Sequence, residues 1–294
     1  MFKQSTIGKC NAPKPGMMDF VGKAKWEAWN GLGDMSQDDA KKTYIEFINS
    51  LAGSESSSEP ASTAEPGKYQ TLQVTKEDGV YKIMLNRPSK KNAINYEMYE
   101  EWGQALNEAA QDKDVVLAVV TGAGDLYCSG NDLGNFANVQ PSDITAMAKK
   151  GGDILEKFVN AFIDFPKPLI GLINGPAVGV SVTVLGLFDV VYATDKATFH
   201  TPFSALGQSP EGCSSYTFPK MMGTAKATEL LLFNKKITAV EACERNLVTE
   251  VFPDGTFKSE TEARVKEYAK LPKISLQKSK NLSRDAERQK LYEI

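Results

Sequence analysis

An α/β domain entered through a short helical segment is the fold class that three observations predict. Residues 115–121 and 169–173 are near-continuous apolar runs, the pattern of strands covered on both faces. Helically patterned stretches at 95–110 and 144–165 alternate with them, and strand–helix alternation argues for a layered α/β domain. Residues 53–67, GSESSSEPASTAEPG, hold too little apolar surface to offset their ordering entropy and read as a linker. The organisation predicted is a helical segment over 1–52, a linker over 53–68 and one large domain over 69–294.

In the first segment, Ser36 can cap a helix, with Asp39 at the capping-box position. Ala40, Tyr44, Phe47, Ile48 and Leu51 then share one apolar stripe, and Trp26 and Trp29 share a helical face upstream. Two helices make little core for an independent fold. The large domain opens on alternation over 69–75, a turn at Gly79 and a strand over 80–85. Pro166 and Pro168 stop the helix that begins at 144. A small-residue helix over 178–187, a strand over 190–193 and helices over 224–233, 239–246 and 276–291 follow.

Composition excludes several functions. Net charge is −3 with no dense basic stripe, so nucleic acid is not the expected ligand. Apolar runs stay shorter than the roughly 18 residues a membrane helix needs. Cys10, Cys128, Cys213 and Cys243 are widely spaced, which fits free thiols in a reducing compartment and no metal site. His200 is the only histidine, which argues against a Ser-His-Asp triad or a zinc site and for a structural role. MFKQSTIGK at the start lacks the apolar core of a secretion signal, and LYEI at the end is no SKL-type tripeptide.

Three segments carry candidate chemistry. Residues 127–133, YCSGNDL, follow a buried strand; residues 173–180, INGPAVGV, lie between a strand and a helix; residues 207–215, GQSPEGCSS, precede a helix. The first two can each aim a backbone N–H at one carbonyl, the requirement for an oxyanion hole. The third sets Glu211 between Pro210 and Gly212, and a carboxylate in an apolar pocket is a base of tuned pKa. Plain turns and a carboxylate complementing a helix dipole are the alternatives at this stage. Cys128 and Cys213 flank these segments with nothing to suggest a thiolate role.

Together, residues 69–290 resemble the crotonase (enoyl-CoA hydratase/isomerase) superfamily. The likeness rests on Leu85-Asn86-Arg87-Pro88 with Asn92-Ala93, on Ser129-Gly130-Asn131-Asp132, and on Asn174-Gly175-Pro176-Ala177-Val178-Gly179. It continues through Asp189, Ala193-Thr194, Ala197-Thr198-Phe199 and Asn246-Leu247-Val248. The run Ser209-Pro210-Glu211-Gly212-Cys213-Ser214-Ser215 resembles the peroxisomal-type delta-3,delta-2-enoyl-CoA isomerase branch.

That resemblance implies a spiral of β-β-α units, trimeric assembly, and oxyanion donors at the N–H groups of Ser129 and Val180. It also implies substrate contacts at Gly130, Asn131 and Gly179, an acyl pocket involving Phe203 and Leu206, and Glu211 as the lone acid/base. The glutamate pair of the superfamily's hydratases falls on Thr183 and Phe203, so isomerisation is favoured over hydration. The substrate implied is an enoyl-CoA thioester, with no separate cofactor, in the peroxisome or mitochondrion. A rival is a non-catalytic CoA-binding module, as in chromodomain Y-type corepressors. Gly22-Lys23-Ala24-Lys25-Trp26-Glu27-Ala28-Trp29 with Tyr44-Ile45 resemble the later part of an acyl-CoA-binding protein, which implies CoA contacts at Lys3, Lys25 and Tyr44. By the same likeness the chain is expected to stop short of the helices that cover the acyl pocket in relatives.

Overall fold

The computed structural model describes residues 2–15, 20–43, 67–136 and 143–294. Contacts divide the chain into two units, Met1–Pro60 and Ala61–Ile294.

The first unit holds α1 (Phe2–Ile7), α2 (Phe20–Asn30) and α3, helical over 37–43. α3 starts as the sequence predicts: Asp39 N–H donates to Ser36 Oγ at 3.1 Å, and the Ser36 hydroxyl donates to Asp39 Oδ2 at 2.7 Å. Trp29 is buried and donates to Gly8 O at 2.9 Å, while half-buried Trp26 donates to Ala12 O at 2.7 Å. Helix α1 is an element the sequence reading did not anticipate. Most of the predicted apolar stripe, from Tyr44 to Leu51, lies outside the described residues, as does the predicted linker except for Gly67 and Lys68.

The second unit is built on two sheets. The larger runs β1 (Leu72–Glu77), β2 (Val80–Leu85), β3 (Leu117–Gly122), β4 (Leu169–Ile173), β6 (Val190–Thr194) and β9 (Glu250–Phe252), in that order. Only β1 and β2 pair antiparallel; the rest pair parallel. Every residue of β4 is buried, as a strand covered on both faces must be. The smaller sheet orders β5 (Ala177–Val178), β7 (Thr198–His200) and β8 (Ile237–Thr238). Two parallel bridges prolong this second row, Cys128 to Ala177 and Ile94 to Asn131. Successive passes of the chain thus add one stretch to each row, the expected spiral. The smaller sheet escaped the sequence reading because two or three residues carry no periodicity.

Between strands run α4 (Tyr96–Gln111), α5 (Ile144–Ile163), α6 (Val180–Thr183), α7 (Ser214–Met222), α8 (Thr224–Leu231) and α9 (Ala239–Glu244). α10 (Asp254–Ala269) and α11 (Lys273–Tyr292) complete the unit. The predicted helix over 178–187 resolves into a single α turn followed by a 3₁₀ turn, Val184–Leu187. α4 and α5 meet through Trp102, Phe158 and Phe162, with Trp102 edge-on to both phenylalanines at 5.3 and 5.5 Å. This aromatic packing holds α4, whose first turn borders the site.

Candidate active site

Two asparagines fix the loops that carry the site. Asn92, fully buried, accepts from Arg87 N–H at 3.0 Å and donates to Ala123 O and Leu126 O at 2.9 and 2.8 Å. Asn174 accepts from Gly122 N–H at 3.0 Å and donates to Gly124 O at 2.7 Å. Arg87 pairs with Asp132 at 2.8 Å, and this contact holds the Asp132 carboxyl below the usual carboxylate range. Asp132 therefore anchors its turn.

The two candidate amide turns lie side by side. Cys128 N–H donates to Pro176 O at 3.2 Å and Val178 N–H to Cys128 O at 3.0 Å. Gly130 has φ +85°, and a Cβ there would lie 2.8 Å from Val178 O. Only glycine permits both that dihedral and that approach.

Which amides are free follows from the hydrogen bonds. Ser129 N–H, an expected oxyanion donor, donates instead to Lys91 O at 3.0 Å. Gly130 N–H is held by Cys128 Sγ at 3.3 Å, and Asp132 N–H by Ile94 O at 2.9 Å. Among the described residues, the amide of this turn without a partner is that of Asn131, whose side chain accepts from Asn135 at 2.7 Å. The Ser129 expectation is thus corrected by two positions: Lys91 O already takes the proton that a substrate oxygen would need. Val180 heads α6, so its N–H has no partner within the helix. The preceding Gly179, at φ +63°, spends its own N–H on His200 O at 2.8 Å.

Glu211 comes to this place by backbone packing. A Cβ on Gly212 would sit 2.7 Å from Thr183 Oγ1, one helical turn beyond Val180. A Cβ on Gly186 would sit 2.5 Å from Thr217 Oγ1, so α7 also lies against the turn that continues α6. The Glu211 carbonyl accepts from Ser214 N–H and Oγ at 3.2 and 2.7 Å, which anchors its main chain. Among the described residues nothing donates to its carboxylate. Burial alone pushes its pKa up to about 7.

Thr183, fully buried, donates to Val180 O at 3.1 Å, and Phe203 is buried. Neither position holds an acid/base group beside Glu211. Leu206 is 59% exposed, so it stands on the surface rather than in an enclosed pocket. His200 bonds Asn234 O at 3.1 Å, in keeping with a structural role. Lys25 is exposed in the first unit; the Lys3 side chain and Tyr44 lie outside the described residues. The cysteines are free thiols, and burial pushes both Cys128 and Cys213 up to about 11.

Sequence reasoning missed Tyr99, on α4. It is 5% exposed, and the charges of Glu211 and Cys128 both act on its hydroxyl. Its helical spacing with Met98, Trp102 and Leu106 reads as plain core, so the sequence held no signal for it. A surface groove of about 400 Å³ between α4 and α5, with Glu100, Gln104 and Lys157 in its lining, also touches Tyr99. Glu211 does not line that groove.

A family profile described as enoyl-CoA hydratase/isomerase matches residues 75–294, and one described as acyl CoA binding protein matches residues 1–48. Human enoyl-CoA delta isomerase 2 is 57% identical over 297 residues, covering 100% of this chain and 75% of that protein. Mouse enoyl-CoA delta isomerase 3, peroxisomal, is 50% identical over 290 residues, covering 96% of this chain and 89% of that protein. A crystal structure of an enoyl-CoA hydratase/isomerase from Pseudoalteromonas atlantica T6c matches with TM-score 0.67 and 32% identity, over 76% of this chain and 86% of that one. With that profile spanning most of its length and such identity to a relative along all of it, the chain belongs to the enoyl-CoA hydratase/isomerase family.

Proposed function

We propose that the protein is an enoyl-CoA isomerase of unsaturated fatty acid oxidation, converting 3-enoyl-CoA to 2-trans-enoyl-CoA with Glu211 as its single acid/base. The observation that carries this reading is a lone half-buried glutamate, its pKa pushed up to about 7, in a segment packed beside the helix turn that opens with the free Val180 amide. The names and identities of the human and mouse relatives support the same activity.

The thioester oxygen sits between Asn131 N–H and Val180 N–H. Glu211 removes a proton from C2, and the electron pair left behind spreads through the C3=C4 bond and onto that oxygen. The two amides stabilise the resulting dienolate; losing one such donor costs about 10²–10³ in rate. Protonated Glu211 then returns the proton at C4, so the double bond moves from C3=C4 to C2=C3. One carboxylate suffices because no water is added, and Thr183 and Phe203 offer nothing to activate one. The step needs no electron acceptor or separate cofactor; CoA arrives as part of the substrate.

The helical segment over 1–52 contributes acyl-CoA affinity, with Lys3, Lys25 and Tyr44 as its contacts, and residues 69–294 carry the chemistry. The compartment is the peroxisome, supported by the name of the mouse relative, and the assembly is a homotrimer. Glu211→Gln tests the base: turnover of 3-enoyl-CoA is expected to fall about 10²–10⁴-fold. Turnover within about tenfold of the parent would remove Glu211 from the role.

A further inference from the structure

Both amide turns are pinned to one residue, Cys128. Its main chain joins them: Cys128 N–H donates to Pro176 O at 3.2 Å, and Cys128 O accepts from Val178 N–H at 3.0 Å. Ser181, beside Val180, donates to Val178 O at 2.9 Å, so the same strand also holds the head of α6. The side chain does separate work. It is fully buried; its thiol donates to Asn92 O at 3.1 Å, and its sulfur accepts from Gly130 N–H at 3.3 Å. Asn92 is the residue whose side chain fastens Arg87, Ala123 and Leu126, so the thiol is tied to the same clasp.

A buried cysteine commonly packs as a small hydrophobe, with a weak donor and a weak acceptor. Here both ends of the thiol are engaged. Burial pushes it up to about 11, so the S–H keeps the proton that Asn92 O takes. The acceptor end bears on the site. Of three adjacent amides, Ser129 N–H goes to Lys91 O and Gly130 N–H to the sulfur, which among the described residues leaves that of Asn131. Gly130 sits at φ +85°, and glycine can change its dihedrals at little cost. Without the sulfur, the Gly130 N–H is buried and unpaired, and turning the chain to satisfy it moves the neighbouring Asn131 amide.

We propose that Cys128 is a positioning residue for the oxyanion hole, its thiol bridging Asn92 O and Gly130 N–H so that the Asn131 amide stays aimed, with that of Val180, at the thioester oxygen. This rests on the reading of the two turns as that hole. Cys128 touches no reacting atom and acts through the turn. Donors set before substrate arrives stabilise developing charge without reorganising at the moment of reaction, and a small misplacement of such a group has a large effect on rate.

The experiment compares Cys128→Ser, Cys128→Val and Cys128→Ala in the full chain. Serine keeps a donor and an acceptor, valine fills the space and loses both, and alanine loses both and leaves a gap. kcat and KM for 3-enoyl-CoA are read beside the carbon-13 shift of bound octanoyl-CoA labelled at its thioester carbonyl, a probe with no double bond to move. Serine is expected within about threefold of the parent kcat, and valine and alanine about tenfold or more below it, each with KM within about threefold. The bound carbonyl should lie downfield of the free thioester in the parent and in the serine variant, and lose most of that displacement in the other two. Valine nearest the parent overturns the proposal, because volume rather than bonding would then be what the turn needs. A lower kcat with the carbonyl shift unmoved overturns it equally, since the loss would then not act through the oxyanion hole. The parent tests the underlying reading. If its bound carbonyl shows no downfield shift, the oxyanion hole falls and this inference with it; if the shift is present and all three variants keep it, Cys128 alone loses its role.

Discussion

At residue 211, where an apolar side chain would meet no solvation cost, the chain half-buries a carboxyl group instead. The rise of its pKa from 4.5 to about 7 has burial as its cause. It corresponds to about 3 kcal/mol favouring the neutral acid in the folded state. The sign follows from linkage. Between those two values the folded protein holds a proton that the unfolded chain has released, so stability is lost as pH rises through 7. Glu211→Gln should therefore raise the unfolding midpoint at pH 8 and leave it nearly unchanged at pH 4. Calorimetry of both proteins at the two pH values checks this, and no gain at pH 8 would mean that the carboxyl is solvated. The same group should give the kcat/KM profile an acid limb near pH 7, with activity rising as the base ionises. Glu211 was legible in the sequence because Pro210 and Gly212 frame it ahead of a helix. The amide donor was not. Ser129, Gly130 and Asn131 offer three adjacent N–H groups, and the choice among them is made by Lys91 O, 38 positions upstream of Ser129.

Helix α11 illustrates how one element is held by charge rather than by apolar area. Leu282 and Ile274 on it are exposed, and Leu291 is its buried residue. Its attachment runs instead through Lys280, which meets Asp189 at 2.8 Å and donates to Lys167 O at 2.8 Å. Arg284 adds Asp189 at 3.2 Å and Phe188 O at 2.6 Å. Asp189 also accepts from Leu169 N–H at 2.8 Å, so one carboxylate ties α11 to the start of β4. Burial pushes Lys280 down to about 8 against the pull of Asp189. Removing one partner of a buried pair leaves the other uncompensated, at a cost of about 3–5 kcal/mol. Asp189→Asn strands two cations and should fall in that range. Lys280→Met should cost less, since Asp189 keeps Arg284 and the Leu169 amide. Urea unfolding at pH 7 ranks the two, and a larger loss in Lys280→Met refutes the arrangement. Asp189 was visible in the sequence as part of the family pattern, but its partners were not, because 91 and 95 residues separate it from Lys280 and Arg284. Strands β3 and β4 were legible from near-continuous apolar runs. Helix α10 was not: its buried residues, Phe257, Thr261 and Val265, form a single narrow ridge on an otherwise polar helix.

The whole chain joins two units that share an expected ligand class. Among the described residues, the larger unit has its own two apolar clusters. One is centred on β2, β3, α4 and α5; the other, around Leu117, Ile170, Tyr192 and Phe257, lies under α10. Both clusters are made of residues from Ala61–Ile294. A domain that buries its own core is expected to fold alone, and every group given a part in the chemistry lies between Asn131 and Glu211. A chain starting at Ala61 should therefore keep kcat for 3-enoyl-CoA within about twofold. Its KM should rise if the first unit raises the local concentration of acyl-CoA, because tethering a second binding module changes effective concentration and not the chemical step. Steady-state kinetics of the two chains, at several acyl lengths, decide the matter. A collapse of kcat in the shortened chain would mean that residues 1–60 complete the site. An unchanged KM would mean that the first unit adds no affinity to the reaction that the second performs.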